Sequence, residues 1–232
     1  MTRAAFVWID NEHLRLAPLA EDAMSVIGRA EDATIRLPAR TISRHQAAVF
    51  CINGAFAIQQ LGTSNPTLVD GKALEPRRAP IALRDGAEIA VPEMRLVFHD
   101  LAAADRVEYL TRCGFCSRAV QPTDLVCWYC GTSLDNAPSV YAVQRSVACR
   151  LVAQSGGVFD LRAGESLAFR GDGAVDVWRQ GSRPHLPAVV AREDGAWLVL
   201  PPDLSPPEGS CRRLRSGTEL HSGAGAFVVI VR

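Results

Sequence analysis

Four cysteines carry the most specific chemistry in this chain. Cys113, Cys116, Cys127 and Cys130 form two Cys-x-x-Cys knuckles with ten residues between them. Each knuckle brings two thiolates to one side of a tight turn, and two facing turns complete a tetrahedral sulfur shell. Zinc is the expected occupant; iron in an all-thiolate site and a redox-active dithiol are the alternatives. Four thiolates leave no open coordination position, so the expected Zn2+ is structural and not catalytic. Residues 109–136 are too few for a core of their own, so metal binding should supply much of their folding free energy.

A second set of polar residues is spread over the first hundred positions. Gly28-Arg29 ends one short apolar stretch, and Ser43-Arg44-His45-Gln46 begins another fourteen residues later. The segment LGTSNPTLVDG follows at 61–71, and LRDGAEIAV at 83–91. Positioning them falls to short apolar runs at Phe6–Ile9, Ser25–Ile27, Thr34–Leu37, Ala47–Cys51, Phe56–Ile58, Thr67–Val69, Ile81–Leu83 and Met94–Phe98. None is long enough for a typical helix. Asn53-Gly54, Asp70-Gly71 and Asp85-Gly86 punctuate them as turns. Many short strands joined in this way predict an all-β sandwich or barrel.

These spaced motifs resemble a forkhead-associated (FHA) domain. That family carries Gly-Arg, then Ser-Arg-x-His-Ala, then Leu-Gly-Ser-Thr-Asn-Gly-Thr-x-Val-Asn-Gly, in this order. The resemblance covers residues 1–100 and implies an FHA-type β-sandwich that binds phosphothreonine. A phosphate near its dianionic form needs charge and aimed donors. By resemblance, Arg29 supplies the charged donor, Ser43 a hydroxyl and its backbone N–H, and Ser64 a second hydroxyl from the facing loop. Asn65 would hold the peptide main chain, and Arg44 would add charge at the phosphate or the flanking peptide. Gly28, Gln46 and Thr67 would support the loops. The chain departs from the pattern twice: Gln46 stands where the family has His, and Pro66 where it has Gly.

The last ninety residues repeat the first hundred with parts missing. SLAFRGDGA at 166–174 sits against SVIGRAEDA at 25–33, SRPHLPAVV at 182–190 against SRHQAAVF at 43–50, DGAWLV at 194–199 against NGAFAI at 53–58, and LRSGTELH at 214–221 against LRDGAEIA at 83–90. Four matches in one order predict a second, degenerate FHA-like sandwich over 146–232. Phe169 replaces the glycine before Arg170, and a proline-rich stretch, 201–210, takes the place of the Ser-Asn loop. The expectation for this copy is a fold without the phosphate site, although Ser182, Arg183 and His185 fit the family's Ser-Arg-x-His.

Between the copies, 109–136 resembles a zinc ribbon. Residues 100–109 read as a joint with a turn or two of helix capped by Asp100, and 136–146 as a linker. Trp128 and Tyr129 would serve a protein contact or pack on a neighbouring domain. The formal net charge is zero, so no global field draws the chain to nucleic acid or to a membrane surface. No apolar run reaches the roughly 20 residues of a membrane span, and Asp10 and Glu12 stand where a signal peptide would be apolar. Outside the metal set remain Cys51, Cys149 and Cys211, a poor disulfide framework that points to the cytoplasm. No nucleophile–base set and no open metal site speak for an enzyme. The functional expectation is a phosphothreonine-dependent adaptor in Ser/Thr kinase signalling, its partner a threonine-phosphorylated protein such as a kinase or its substrate. The alternative is a phosphate-independent scaffold that uses the same domains.

Overall fold

Hairpin signals and alternating apolar residues build a chain that is almost entirely β. The computed structural model describes residues 3–61, 65–76, 78–135, 140–170, 172, 174–179, 186–200 and 211–232. Two compact units result, one from 1–103 with 147–232 and the other from 104–146.

The first sandwich comprises Ala4–Asp10 (β1), His13–Leu19 (β2), Ser25–Gly28 (β3), Ile35–Arg36 (β4), Ala47–Ile52 (β5) and Ala55–Gln60 (β6). Leu68–Val69 (β7), Lys72–Ala73 (β8), Ile81–Ala82 (β9), Glu88–Val91 (β10) and Met94–Asp100 (β11) complete it. One sheet runs β2-β1-β11-β10-β7-β8 and the other β4-β3-β5-β6-β9. The expected turns are in place. Asn53 and Gly54 have φ of 49° and 78°, and Asp70 and Gly71 have 48° and 77°, the paired positive values of tight hairpins. Phe6 and Phe56 pack edge-on and tilted against Phe98 between the sheets, with ring centroids 5.7 and 5.6 Å from it. Ile27, Ile58, Ile89 and Leu96 fill the space around them, all fully buried.

After the first sandwich, Arg106–Arg112 (β12), Ala119–Val120 (β13) and Tyr141–Arg145 (β14) form a sheet in the order β13-β12-β14. Here two expectations are corrected. The helical turn over 100–109 is a 3-10 turn at Leu101–Ala104, whose Ala102 N–H donates to Asp100 Oδ1 at 2.9 Å; β12 then begins. The linker over 136–146 becomes β14 from Tyr141, paired with β12 from Leu110 to Arg106. Alternation of half-buried and exposed residues along β14 explains the strand. Glu108 of β12 holds Arg106 and Arg145 together.

The second sandwich comprises Val147–Ala153 (β15), Val158–Arg162 (β16), Glu165–Phe169 (β17), Val175–Arg179 (β18) and Ala188–Arg192 (β19). It continues through Gly195–Val199 (β20), Cys211–Arg213 (β21), Glu219–Ser222 (β22) and Gly225–Val231 (β23). Its sheets run β16-β15-β23-β22 and β18-β17-β19-β20-β21. The order β16-β15-β23-β22 repeats β2-β1-β11-β10, and β17-β19-β20-β21 repeats β3-β5-β6-β9. The internal match needs a one-residue adjustment, however. Leu167 and Phe169 face the second core while Ile27 faces the first. Ser25 lies opposite Val49 and Leu167 opposite Val189, the same places in the two hairpins, so the partner of Ile27 is Phe169 and not Ala168. A slip of one residue exchanges the two faces of a strand. Phe169 therefore packs edge-on against Phe227 at 5.4 Å.

Within the larger unit, the two sandwiches meet sheet face on sheet face. Val7, Leu14 and His99 are buried without joining the first core, and Val228 and Ile230 are buried without joining the second. At the centre of this contact lies Arg150, 2% exposed. It grips both oxygens of Asp160 (2.6 and 3.0 Å), reaches Asp85 of the first sandwich at 2.5 Å and approaches His99 Nδ1 at 3.3 Å. Gln154 adds a second tie, donating to the Glu12 carbonyl at 2.9 Å.

Burial, and then the neighbouring Arg150 cation, push the His99 imidazole down to about 4. An unfolded chain takes up that proton near pH 6.5, whereas the folded one does so only near 4. The stability His99 contributes is thus complete above pH 6.5 and is lost as pH falls towards 4. The expected slope is about 1.4 kcal/mol per pH unit in that window. Urea unfolding at pH 7 and pH 5 checks it, because His99→Asn should flatten the slope.

Candidate functional site

The loops at one end of the first sandwich are built around two buried glutamines. Gln46 stands immediately before β5 with no exposure to solvent. Its Oε1 accepts from Ser43 N–H at 3.1 Å, and its Nε2 donates to the Asn65 carbonyl (2.7 Å) and to Thr67 Oγ1 (3.1 Å). One side chain thus ties the loop before β5 to the loop after β6. The amide supplies one acceptor and two donor hydrogens, whereas a neutral imidazole offers one of each. Gln46 replaces the family's His and completes a network that His could only partly make.

Gln60, at the end of β6, doubles this support. Its Nε2 also reaches the Asn65 carbonyl, at 3.3 Å, and its Oε1 accepts from Thr67 N–H at 3.0 Å. Sequence reasoning passed over Gln60; the signal was a polar residue at the end of an apolar strand. Both glutamines converge on the carbonyl that precedes Pro66, a residue with no N–H to satisfy.

Gly28 has no room for a side chain. A Cβ there would stand 2.1 Å from the Arg44 carbonyl oxygen. Backbone bonds explain the proximity: Arg29 N–H donates to Ser43 O at 3.0 Å and Ala30 N–H to Arg44 O at 3.1 Å. Arg29, Ser43 and Arg44 are therefore brought to one rim. Ser43 is half-buried, and its N–H is already committed to Gln46, which leaves the hydroxyl for a ligand. Asn65 donates its amide to Thr41 O at 2.9 Å and so bridges both loops. Ser64 lies outside the described residues.

Charge at this rim is unbalanced. Arg29, Arg40 and Arg44 are exposed and form no side-chain hydrogen bond or ion pair among the described residues. The nearby acid Asp32 is occupied by His45, 3.0 Å away, whose hydrogen bond holds its carboxyl below the usual range. His45 therefore has a local partner of its own. Anchored hydroxyls beside uncompensated guanidinium groups can receive a doubly charged oxyanion.

Removing the buried amide tests the support. Gln46→Ala strands the Ser43 N–H and should cost about 3 kcal/mol by the urea midpoint, from an unpaired buried donor and a cavity. Gln46→His, which keeps one donor and one acceptor, should cost less than half of that.

The four cysteines converge in the smaller unit. Their sulfurs lie within 4.8 Å of one another, with Cys113–Cys130 at 3.6 Å and Cys116–Cys127 at 3.7 Å. Zinc–sulfur bonds of about 2.3 Å in a tetrahedron place sulfurs about 3.8 Å apart, so the set fits the ion. None of these cysteines forms a disulfide. The knuckles repeat one design. Cys113 N–H donates to Arg118 O and Ser117 N–H to Cys113 O; Cys127 N–H donates to Thr132 O and Gly131 N–H to Cys127 O. Ser117 and Gly131 take φ of 58° and 74° to close these turns. Trp128 and Tyr129 stack on each other at 3.6 Å, with the Arg118 guanidinium 4.1 Å from the tyrosine ring.

The second sandwich offers less. Arg170 is taken up by Asp172 and Asp176. Ser182, Arg183, His185 and the proline-rich stretch 201–210 lie outside the described residues.

Residues 25–92 match the family model of the FHA domain. Among solved structures, the chain is similar to the FHA domain of the CT664 protein from Chlamydia trachomatis. That match has 20% identity, 43% of this chain, 98% of the other and a TM-score of 0.39. The N-terminal FHA domain of S. cerevisiae Rad53p, solved with a phosphothreonine peptide, matches at 16% identity over 42% of this chain and 92% of the other, TM-score 0.38. Mycobacterium tuberculosis EmbR, in complex with a low-affinity phosphopeptide, matches at 28% identity, covering 41% of this chain and 24% of its own, TM-score 0.36. No curated protein matches the chain. Gly28, Arg29, Ser43, Gln46 and Asn65 all fall within the segment that matches the FHA-domain model.

Proposed function

We propose that this protein is a phosphothreonine-dependent adaptor whose first sandwich binds a threonine-phosphorylated partner. The observation that carries this reading is the rim where Arg29 and Arg44 lack partners among the described residues, beside loops that Gln46 fastens at three points. Arg29 would contact the phosphate, with Ser43 and Ser64 supplying hydroxyls and Arg44 a second charge. Asn65 would hold the peptide main chain while Gly28, Gln46 and Thr67 keep the loops in place. The partner would be a Ser/Thr kinase or its substrate, met in the cytoplasm. Cys113, Cys116, Cys127 and Cys130 would hold a structural Zn2+ in a ribbon over 109–136. The sandwich of 146–232 is read as a degenerate FHA-like domain without its ligand. The protein would act by binding, not by catalysis.

A scaffold that docks partners without phosphate is the second reading. Burial of Val7, Leu14, Val228 and Ile230 around Arg150 favours it, since such a joint fixes a platform. Binding of a degenerate phosphothreonine peptide pool, against its unphosphorylated twin, separates the two. Retention of the phosphorylated pool alone is expected of the adaptor; equal retention or none would favour the scaffold.

A further inference from the structure

We propose that the cleft between the two sandwiches binds a neutral, largely apolar small molecule that carries one hydrogen-bond acceptor. The cleft measures about 840 Å³, within the roughly 300–1,000 Å³ of small-molecule sites. Val7, Ile9 and Val97 wall it on one side, and Val152 and Val158 on the other. At its mouth Ile9 and Val158 face water at 50% and 46% exposure, apolar surface from opposite walls that a bound molecule would cover.

The polar chemistry of this cleft comes from His99. Its side chain, 3% exposed, lines the cleft, and its Nε2 has no hydrogen-bond partner among the described residues. Arg150 settles the tautomer: a guanidinium can only donate, so Nδ1 accepts and Nε2 carries the hydrogen. What awaits a ligand is therefore a buried N–H donor, and a carbonyl or ether oxygen answers it. Of the remaining polar walls, Glu93 is an exposed carboxylate, which disfavours an anion, and the other two are engaged elsewhere. Gln154 donates to Glu12 O, and Arg95 pairs with Glu88 at 2.6 Å. Arg150 is neutralised by Asp85 and Asp160. With no uncompensated cation among the described residues of the interior, a neutral molecule fits better than a carboxylate.

Nile red, a neutral apolar dye with a single ring carbonyl, is a suitable probe for the full chain. Saturable one-to-one binding with blue-shifted emission is expected. Ala90 lines the same cleft from β10, so Ala90→Phe should weaken the dye at least tenfold while circular dichroism stays unchanged. His99→Phe removes the donor and should cost about tenfold, with emission moving further to the blue. Absence of saturation, or full affinity in folded Ala90→Phe, would overturn the site. Full affinity and unchanged emission in His99→Phe would overturn the acceptor requirement.

Discussion

Chelating the Zn2+ proposed for the four cysteines should melt residues 104–146 and leave both sandwiches standing. The smaller unit has a buried cluster of only Cys113, Val120, Cys127 and Leu134 among its described residues, two of them members of the four-cysteine set. So small a core cannot offset the entropy of ordering its own backbone. Structural zinc in comparable thiolate sites supplies about 10–16 kcal/mol of apparent binding free energy, and that energy is folding energy. Hydrogen exchange reads the outcome directly. The N–H groups of Cys113, Cys127 and Gly131, bonded inside the knuckles, should lose protection on chelation or in Cys127→Ser. The amides of β5 and β19 should keep theirs. Undiminished protection of the knuckles in metal-free protein would remove the structural role assigned to the ion.

Arg150→Ala should be the most damaging single change in the larger unit, at about 3–5 kcal/mol. The side chain is nearly inaccessible, and Asp85 and Asp160 depend on it for compensation. Truncation leaves two carboxylates facing each other in a low-dielectric joint and opens a cavity between the sheets. Because the two aspartates keep about a quarter of their exposure, water softens the penalty towards the lower figure. Arg150→Met with Asp85→Asn and Asp160→Asn should recover much of the loss, since an ion pair replaced by apolar packing is often close to neutral. Wild-type unfolding in urea should pass through one transition for the unit; Arg150→Ala should separate two. A single transition with an unchanged midpoint would show that the arginine does not hold the sandwiches together.

How much of this was legible depended on whether a residue's role is local. The thiolate set was readable because Cys-x-x-Cys spacing dictates the turn that presents the sulfurs. Asn53-Gly54 and Asp70-Gly71 were readable because positive φ restricts residue choice. Gly28 could be placed through its motif, and the physical reason is the Arg44 carbonyl oxygen, which would lie 2.1 Å from any Cβ at that position. Gln60 was not legible, since a polar strand end reads as a surface residue until its loop partner is known. β2 escaped notice because Pro18 interrupts the pattern, a residue tolerated on an edge strand. The joint between the sandwiches escaped for a deeper reason. Val7 and Leu14 look like ordinary core residues, and Arg150 looks like an ordinary surface cation, until two separate sheets are laid on each other. Sequence periodicity describes one face at a time.

The most direct test of the adaptor account is a calorimetric titration of one phosphothreonine peptide, drawn from the selected pool, into wild type and Arg29→Ala. Its unphosphorylated form serves as the reference. Loss of a guanidinium from a bound phosphate should cost about 2–5 kcal/mol, which takes a micromolar ligand out of measurable range. Binding that requires both the phosphate and Arg29 is the predicted result. Equal affinity for the two peptides, or full affinity in folded Arg29→Ala, would contradict the account.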